Sequence, residues 1–120
     1  MRLRQVALAA ADLETAKQQL FPLLGLDADF DDHGVSEFGL KNSVMALGDT
    51  FLEVVAPKTE GTTVGRLLER RGGDGGYMVL VQTDDIQPDH ERIDALGVRK
   101  IWSADREQVK AFHIHPKDIT

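Results

Sequence analysis

Two polar side chains, Gln5 and Glu53, interrupt apolar strand-like segments and are the first candidates for chemistry. Glu53 shares a strand face with Phe51 and Val55, because alternate residues of a strand point the same way. A carboxylate among apolar neighbours is costly to bury unless a cation, a hydrogen-bond donor or cavity water receives it. Glu53 is therefore a candidate for proton transfer or metal binding, with a structural hydrogen bond as the alternative. Gln5 taken alone is more simply a hydrogen-bonded or edge-exposed amide.

Three further residues, Met78, His113 and His115, are candidates for the wall of a cavity. His113 and His115 alternate along one predicted strand, a spacing that can present two imidazoles to one metal ion. The favoured alternative is a pair of solvated histidines opposite Phe112 and Ile114. Met78 is most simply a packing residue, and otherwise part of the cavity wall.

The composition excludes several classes of protein. The chain has 120 residues and a formal net charge of -6, and the cluster of Arg66, Arg70 and Arg71 does not extend into a basic stripe, so nucleic-acid binding is not expected. There is no cysteine, which agrees with a cytoplasmic location. The apolar run before Asp12 is too short for a signal peptide or a membrane span, so no membrane partner is expected.

The elements that must position these residues fall into two similar halves. The steps Asp12–Leu13 and Leu24–Leu26 return as Asp85–Ile86 and Leu96–Val98, at an offset of about 72 residues. We therefore expect one domain built from module one (1–57), a linker helix (58–75) and module two (76–120).

Module one is predicted to have the order β-α-β-β-β. The strand Leu3–Ala10 leads to an amphipathic helix that Asp12 caps and Gly25 terminates. Three strands follow, and the turn at Gly48 makes the last two a hairpin. Their predicted bounds are Val35–Leu40, Ser43–Leu47 and Thr50–Ala56.

Module two is predicted to follow a short helix capped by Thr62 or Thr63 and a run of glycines from Gly72 to Gly76. The glycine run is a linker and not a phosphate-binding loop, because it precedes a strand and lacks the Gly-Lys-Ser/Thr ending. The predicted elements are the strand Tyr77–Thr83, a helix with Pro88 in its first turn, and the strands Val98–Ser103 and Val109–His115. We expect one further strand to be missing after Thr120.

The segments LRQVALAAADLETA, TFLEVVAP, GGYMVLVQTDD and FHIHPKDIT resemble, in this order, the vicinal-oxygen-chelate superfamily. That superfamily includes glyoxalase I, extradiol dioxygenases, methylmalonyl-CoA epimerase and drug-resistance proteins of the bleomycin and fosfomycin type. The resemblance implies an α+β fold in which two βαβββ modules form a U-shaped mixed sheet around a cavity. A ferredoxin-like sandwich is the alternative fold. The superfamily takes up to four metal ligands from its first, fourth, fifth and eighth strands.

Carried over to this chain, the resemblance places metal ligands at Gln5 and Glu53. The fifth-strand position falls on Met78, where metal-binding members have His or Gln, and a thioether is a poor ligand for hard divalent ions. The eighth-strand carboxylate would lie beyond Thr120. The resemblance therefore implies zinc, nickel, manganese, magnesium or iron at a site that is weak or degenerate.

Two classes of function follow from the resemblance. In the first, the chain is an enzyme of the lyase, isomerase or epimerase, or dioxygenase type that acts on an oxygen-bearing small molecule, with Glu53 as its catalytic residue. In the second, the cavity sequesters a small molecule without catalysis, as bleomycin-resistance proteins do. A purely structural domain is a third possibility. The expected open strand edge predicts a homodimer.

Overall fold

The computed structural model describes residues 1–119, so Thr120, the last residue of predicted module two, lies outside them. The chain divides into two compact units, of which the first is Met1–Gln82 and the second begins at Thr83. No helix within residues 1–119 is both long and apolar enough to cross a membrane. The elements of the first unit are β1 (Arg2–Ala9), α1 (Leu13–Leu24), a 3-10 helix (His33–Phe38), β2 (Leu40–Leu47), β3 (Thr50–Pro57), α2 (Thr63–Arg71) and β4 (Gly75–Gln82). Those of the second unit are α3 (Gln87–Ala95), β5 (Lys100–Asp105), β6 (Lys110–Ile114) and a 3-10 turn (Pro116–Asp118).

The first unit contains a four-stranded mixed sheet in the order β2-β3-β1-β4. Strand β1 runs parallel to β3 and antiparallel to β4, and β2 runs antiparallel to β3. Parallel neighbours need a crossover connection, and α1 lies in the chain between β1 and β3. This architecture confirms the predicted α+β class with a mixed sheet. The two predicted module-opening strands, β1 and β4, are direct neighbours, whereas their equivalence by symmetry stays a prediction.

Helix α1 begins and ends as the sequence predicts. The Asp12 carboxylate accepts a hydrogen bond of 2.7 Å from the Thr15 backbone N–H, and Gly25 ends the helix with a positive φ of 64°. The apolar stripe of α1, which includes Leu13, packs against Met45 and Val54 of the sheet. This helix therefore covers one face of the sheet and leaves the other face for different contacts.

The predicted strand Val35–Leu40 is wrong, because most of it forms the 3-10 helix His33–Phe38. The Asp32 carboxylate caps that helix by accepting from the Gly34 N–H, and Gly39 ends it with a positive φ of 70°. Further towards the N-terminus, Phe30 forms an isolated antiparallel bridge with Val44 of β2. Strand β2 then begins at Leu40 and not at the predicted Ser43.

Helix α2 and strand β4 complete the first unit. The Thr62 hydroxyl caps α2 by accepting from the Gly65 N–H at 3.0 Å, as the sequence predicts. Val64 and Leu68 of α2 pack against Ala9 and Val55, on the face of the sheet opposite α1. Strand β4 begins two residues before the predicted start, within the glycine run.

The second unit pairs α3 with the antiparallel hairpin β5-β6. Proline lies in the first turn of α3, as expected, and both strands lie within two residues of their predicted bounds. The His90 ring packs against the Phe112 ring with centroids 4.2 Å apart, which holds α3 on the hairpin. Arg99 pairs with Asp118 at 2.6 Å and fastens the last turn.

Candidate functional site

Gln5 and Glu53 lie on neighbouring parallel strands and on the same face of the sheet. Gln5 is opposite Phe51 and Glu53 is opposite Ala7, so the two polar residues are diagonal neighbours. Their face is the one that α2 partly covers, because Val55 alternates with Glu53 along β3. Only 7% of Glu53 is exposed. The structure thus brings together the two leading candidates from the sequence.

Both oxygens of the Glu53 carboxylate accept hydrogen bonds from side-chain amides. Gln5 Nε2 donates to Glu53 Oε2 at 2.6 Å, and Asn42 Nδ2 donates to Glu53 Oε1 at 2.6 Å. Asn42 is 5% exposed, and its Oδ1 accepts from the Asp32 backbone N–H at 3.1 Å. The result is a buried network in which a carboxylate is held from both sides, which orients its two oxygens.

The surroundings of Glu53 change its acidity. Burial raises the pKa of Glu53 above its ordinary value, and the charge of Asp32 raises the pKa further, whereas the Asn42 and Gln5 amides lower it in part. The balance leaves the pKa raised. A buried carboxylate with a raised pKa is a stronger base than an exposed one, which suits it to take a proton from a bound molecule.

Met78 lies in the same row of the sheet as Glu53, two strands away. Glu53 is opposite Ala7 on β1, and Ala7 is opposite Met78 on β4. The small Ala7 side chain lies between them. An open groove of about 280 Å³ runs along this part of β1 and β4. Its lining consists of Val6, Ala7, Arg71, Gly76, Tyr77, Met78 and Val79.

Tyr77 is a member of this groove that sequence reasoning missed. The register between β1 and β4 slips between Ala7 and Leu8, which leaves Tyr77 out of the ladder. The tyrosine packs against the apolar cluster that contains Val55. Burial raises the pKa of Tyr77, and the charge of Glu53 raises it further, so the hydroxyl keeps its proton. The glycine run before Tyr77 is a signal that could have indicated a local irregularity.

Asn42 is the second residue that sequence reasoning missed. Asn42 falls in the gap between the predicted strands Val35–Leu40 and Ser43–Leu47, whereas the structure has it within β2. It is opposite Val55, and Val44 is opposite Glu53, so Asn42 is a diagonal neighbour of the carboxylate. The alternation of Leu40, Asn42 and Val44 along one face is the signal that could have found it.

His113 and His115 belong to the second unit and take different roles there. The His113 ring packs against Trp102 with centroids 4.5 Å apart, and burial lowers the pKa of His113. His115 lies beyond the end of β6, and its Nδ1 accepts from the Lys117 backbone N–H at 3.2 Å. His113 is thus half-buried and not fully solvated, and one nitrogen of His115 is already engaged. Their place in a ligand cavity stays a prediction.

The residues at Glu53 do not fit a resident divalent metal. Within residues 1–119, no group of three or more His, Cys, Asp or Glu side chains could hold a metal ion. The carboxylate faces amide N–H donors from Gln5 and Asn42, and Met78, two strands away, offers only sulfur. Hard divalent ions prefer several oxygen ligands. The weak or degenerate metal site expected at Gln5 and Glu53 stays a prediction.

Comparisons with known proteins agree with this architecture. The glyoxalase-like domain family matches residues 6–117. The ethylmalonyl-CoA/methylmalonyl-CoA epimerase of Cereibacter sphaeroides is 29% identical over 126 aligned residues, which cover 98% of this chain and 90% of that protein.

Two solved structures are also similar. The methylmalonyl-CoA epimerase from Mycobacterium tuberculosis is 25% identical with a TM-score of 0.79, covering 98% of this chain and 80% of that one. A variant of the Streptomyces coelicolor methylmalonyl-CoA epimerase in complex with 2-nitronate-propionyl-CoA is 22% identical with a TM-score of 0.84, covering 98% and 89%. The latter similarity shows the fold. Because the family match spans nearly the whole sequence, the chain belongs to the glyoxalase-like domain family.

Proposed function

We propose that the chain is an isomerase of the epimerase type, which removes and returns the proton on the carbon next to an acyl carbonyl. Glu53 is the group that takes the proton. The observation that carries this proposal is the buried Glu53 carboxylate, oriented by Gln5 and Asn42 and opposite Ala7, which lines an open groove. Among lyase, epimerase and dioxygenase reactions, the names of the similar proteins favour epimerisation.

The proposed reaction uses the hydrogen bonds already present. Glu53 Oε2 accepts the proton from the substrate carbon, and the bonding electrons of that C–H bond move into the carbonyl to form an enolate. Once Oε2 is protonated and neutral, it is a weaker hydrogen-bond acceptor. The Gln5 N–H can then donate to the enolate oxygen instead. The enolate carbon is planar, so a proton delivered to its other face inverts the centre. Tyr77 keeps its hydroxyl proton and is the proposed donor.

The residues that line the groove favour a substrate with an acyl chain and a negative charge. Its apolar lining, which includes Met78 and Val79, suits an acyl chain, and Arg71 brings a positive charge to the same groove. A guanidinium is well suited to a carboxylate or phosphate. The similar proteins are named for coenzyme A thioesters of carboxylated acids. We therefore propose a carboxylated acyl thioester as the substrate.

Hydrogen exchange at the substrate carbon tests this proposal. Methylmalonyl-CoA or ethylmalonyl-CoA is incubated with the protein in deuterated water, and loss of the proton signal is followed by NMR against a sample without protein. We expect the Glu53→Gln variant to lose at least about 100-fold in exchange rate, the typical contribution of a general base. Glu14→Gln, which removes an exposed carboxylate from α1, is the matched control. Unchanged exchange in Glu53→Gln would contradict the role of Glu53.

A second candidate function is sequestration of a small molecule without catalysis. The observation that favours it is the poor donor set around Glu53, together with the apolar groove at Met78. In that case the same thioesters or an aromatic compound would bind by calorimetry, with equal affinity in the Glu53→Gln variant. No exchange above the protein-free rate would accompany the binding.

A further inference from the structure

The orientation of the Asn42 amide is determined by its neighbours. The Asp32 backbone N–H points at Asn42 Oδ1 at 3.1 Å. A backbone N–H can only donate, so the atom that it meets must be an acceptor, and this identifies it as the oxygen. The other end of the amide, Nδ2, therefore faces Glu53 Oε1 and donates to it at 2.6 Å.

This orientation determines what Glu53 meets at Oε1. A cation placed there would face the amide hydrogens of Asn42 and not an oxygen. Rotation of the Asn42 amide would offer an oxygen, but it would also turn an N–H group towards the Asp32 N–H and set two donors against each other. Asn42 is buried, so loss of a hydrogen-bond partner for its amide is costly.

Gln5 differs from Asn42 in this respect. It is only partly buried, and its Nε2 donates to Glu53 Oε2 at 2.6 Å. Rotation of the Gln5 amide would present Oε1 to a cation beside Glu53 Oε2. Such a cation would receive two protein oxygens, far fewer than the six to eight that calcium takes or the six of magnesium.

We propose that Asn42 makes the Glu53 network a carboxylate site that works without a divalent metal, because its amide N–H occupies the buried Oε1 with a hydrogen bond where a bound cation would otherwise lie. Asn42 acts through Glu53 and is a positioning residue. The inference deepens the proposed function, since it concerns the same carboxylate. Its test does not depend on any acyl thioester, so failure of the exchange reaction leaves the test valid.

The test is a comparison of metal binding between the natural chain and Asn42→Asp. The aspartate keeps an oxygen for the Asp32 N–H and turns its second oxygen towards Glu53, and two adjacent carboxylates bind divalent cations. Calorimetric titration uses zinc, nickel, manganese and magnesium chlorides. We expect no saturable binding by the natural chain up to about 1 mM metal, and one-to-one binding by Asn42→Asp with a Kd at least about tenfold below that concentration. Gln18→Glu adds the same charge on exposed α1 and should resemble the natural chain.

Three results would overturn the proposal. The first is tight one-to-one binding by the natural chain that Glu53→Gln abolishes. The second is an absence of gained binding in a folded Asn42→Asp variant. The third comes from Met78→His, which replaces the sulfur on β4 and leaves Asn42 in place. If Met78→His gains as much metal affinity as is expected for Asn42→Asp, Met78 and not Asn42 excludes the metal. This variant also keeps the test decisive if Asn42→Asp does not fold.

Discussion

Individual side chains around Glu53 divide into those that hold the carboxylate and those that face the groove. Asn42 and Gln5 hold it through direct hydrogen bonds. Tyr77 lines the groove, and its pKa is raised by burial and by the charge of Glu53. Substitution of Asn42 or Gln5 should change the geometry of the proposed base, whereas substitution of Tyr77 should change the second proton transfer. It also gives the two groups of residues different mutational signatures.

Tyr77→Phe tests the second proton transfer. The variant removes only the hydroxyl and keeps the ring that packs against the Val55 cluster. We expect the rate of epimer formation to fall by about 100-fold, the usual range for a general acid, while deuterium exchange at the substrate carbon falls less. Polarimetric or chromatographic measurement of epimers, run beside the NMR exchange assay, separates the two rates. Equal losses in both assays would argue against Tyr77 as the donor to the second face.

The carboxylate of Asp29 links the loop after α1 to both α1 and β2. Asp29 accepts a hydrogen bond from the Ser43 hydroxyl on β2 and pairs with Lys17 of α1 at 3.0 Å. The Ser43 hydrogen bond and then the Lys17 charge lower the pKa of Asp29 below its ordinary value of 3.8. The ionised form therefore stabilises the folded chain.

The Asp29→Asn variant should show this effect as a dependence of stability on pH. Because the folded pKa is depressed, the contribution of Asp29 is fully present above the unfolded value of 3.8 and disappears as pH falls through the lower folded pKa. We expect Asp29→Asn to lose about 1–2 kcal/mol in free energy of unfolding at neutral pH and to converge with the natural chain in acid. Urea denaturation at several pH values measures this difference. Asp27→Asn, exposed in the same loop, should show no such difference.

For the whole molecule, an open strand edge predicts self-association. Strand β4 ends the sheet of the first unit, and its Val79 and Val81 are 63% and 54% exposed. Leu3, opposite Val81 on β1, is also exposed and extends the apolar surface. Exposed strand edges and apolar patches recruit other chains, so we predict a homodimer.

Val81→Lys should shift such a dimer towards monomer, because a charge on an edge strand opposes pairing with another strand. Light scattering at high micromolar concentration measures the mass of the natural chain and the variant. Leu23→Lys replaces an even more exposed apolar residue on α1 and should leave the mass unchanged. A natural chain that stays monomeric at these concentrations would refute the prediction.

Much of the fold could be predicted from the sequence, because its signals are local. The Asp12 cap, the apolar stripe of α1 and the Gly25 terminus are all short-range features, and each is confirmed. Alternation along a strand likewise predicted that Glu53 would share a face with Val55. The error at Val35–Leu40 arose because a short segment of mixed apolar and polar residues that contains a glycine suits either a strand or a 3-10 helix, and the Asp32 cap favours the helix.

The sequence by itself determined the class of fold, the helix that covers one face of the sheet, and the presence of two polar residues on apolar strands. Only the tertiary structure decided which groups the Glu53 carboxylate meets. That outcome depends on two strand registers, one that sets Gln5 diagonal to Glu53 and one that sets Asn42 diagonal to it. Register arises from the packing of the whole sheet, and a shift of one residue would turn each side chain to the other face. The amide network is therefore a product of pairing between distant segments, which no single segment encodes.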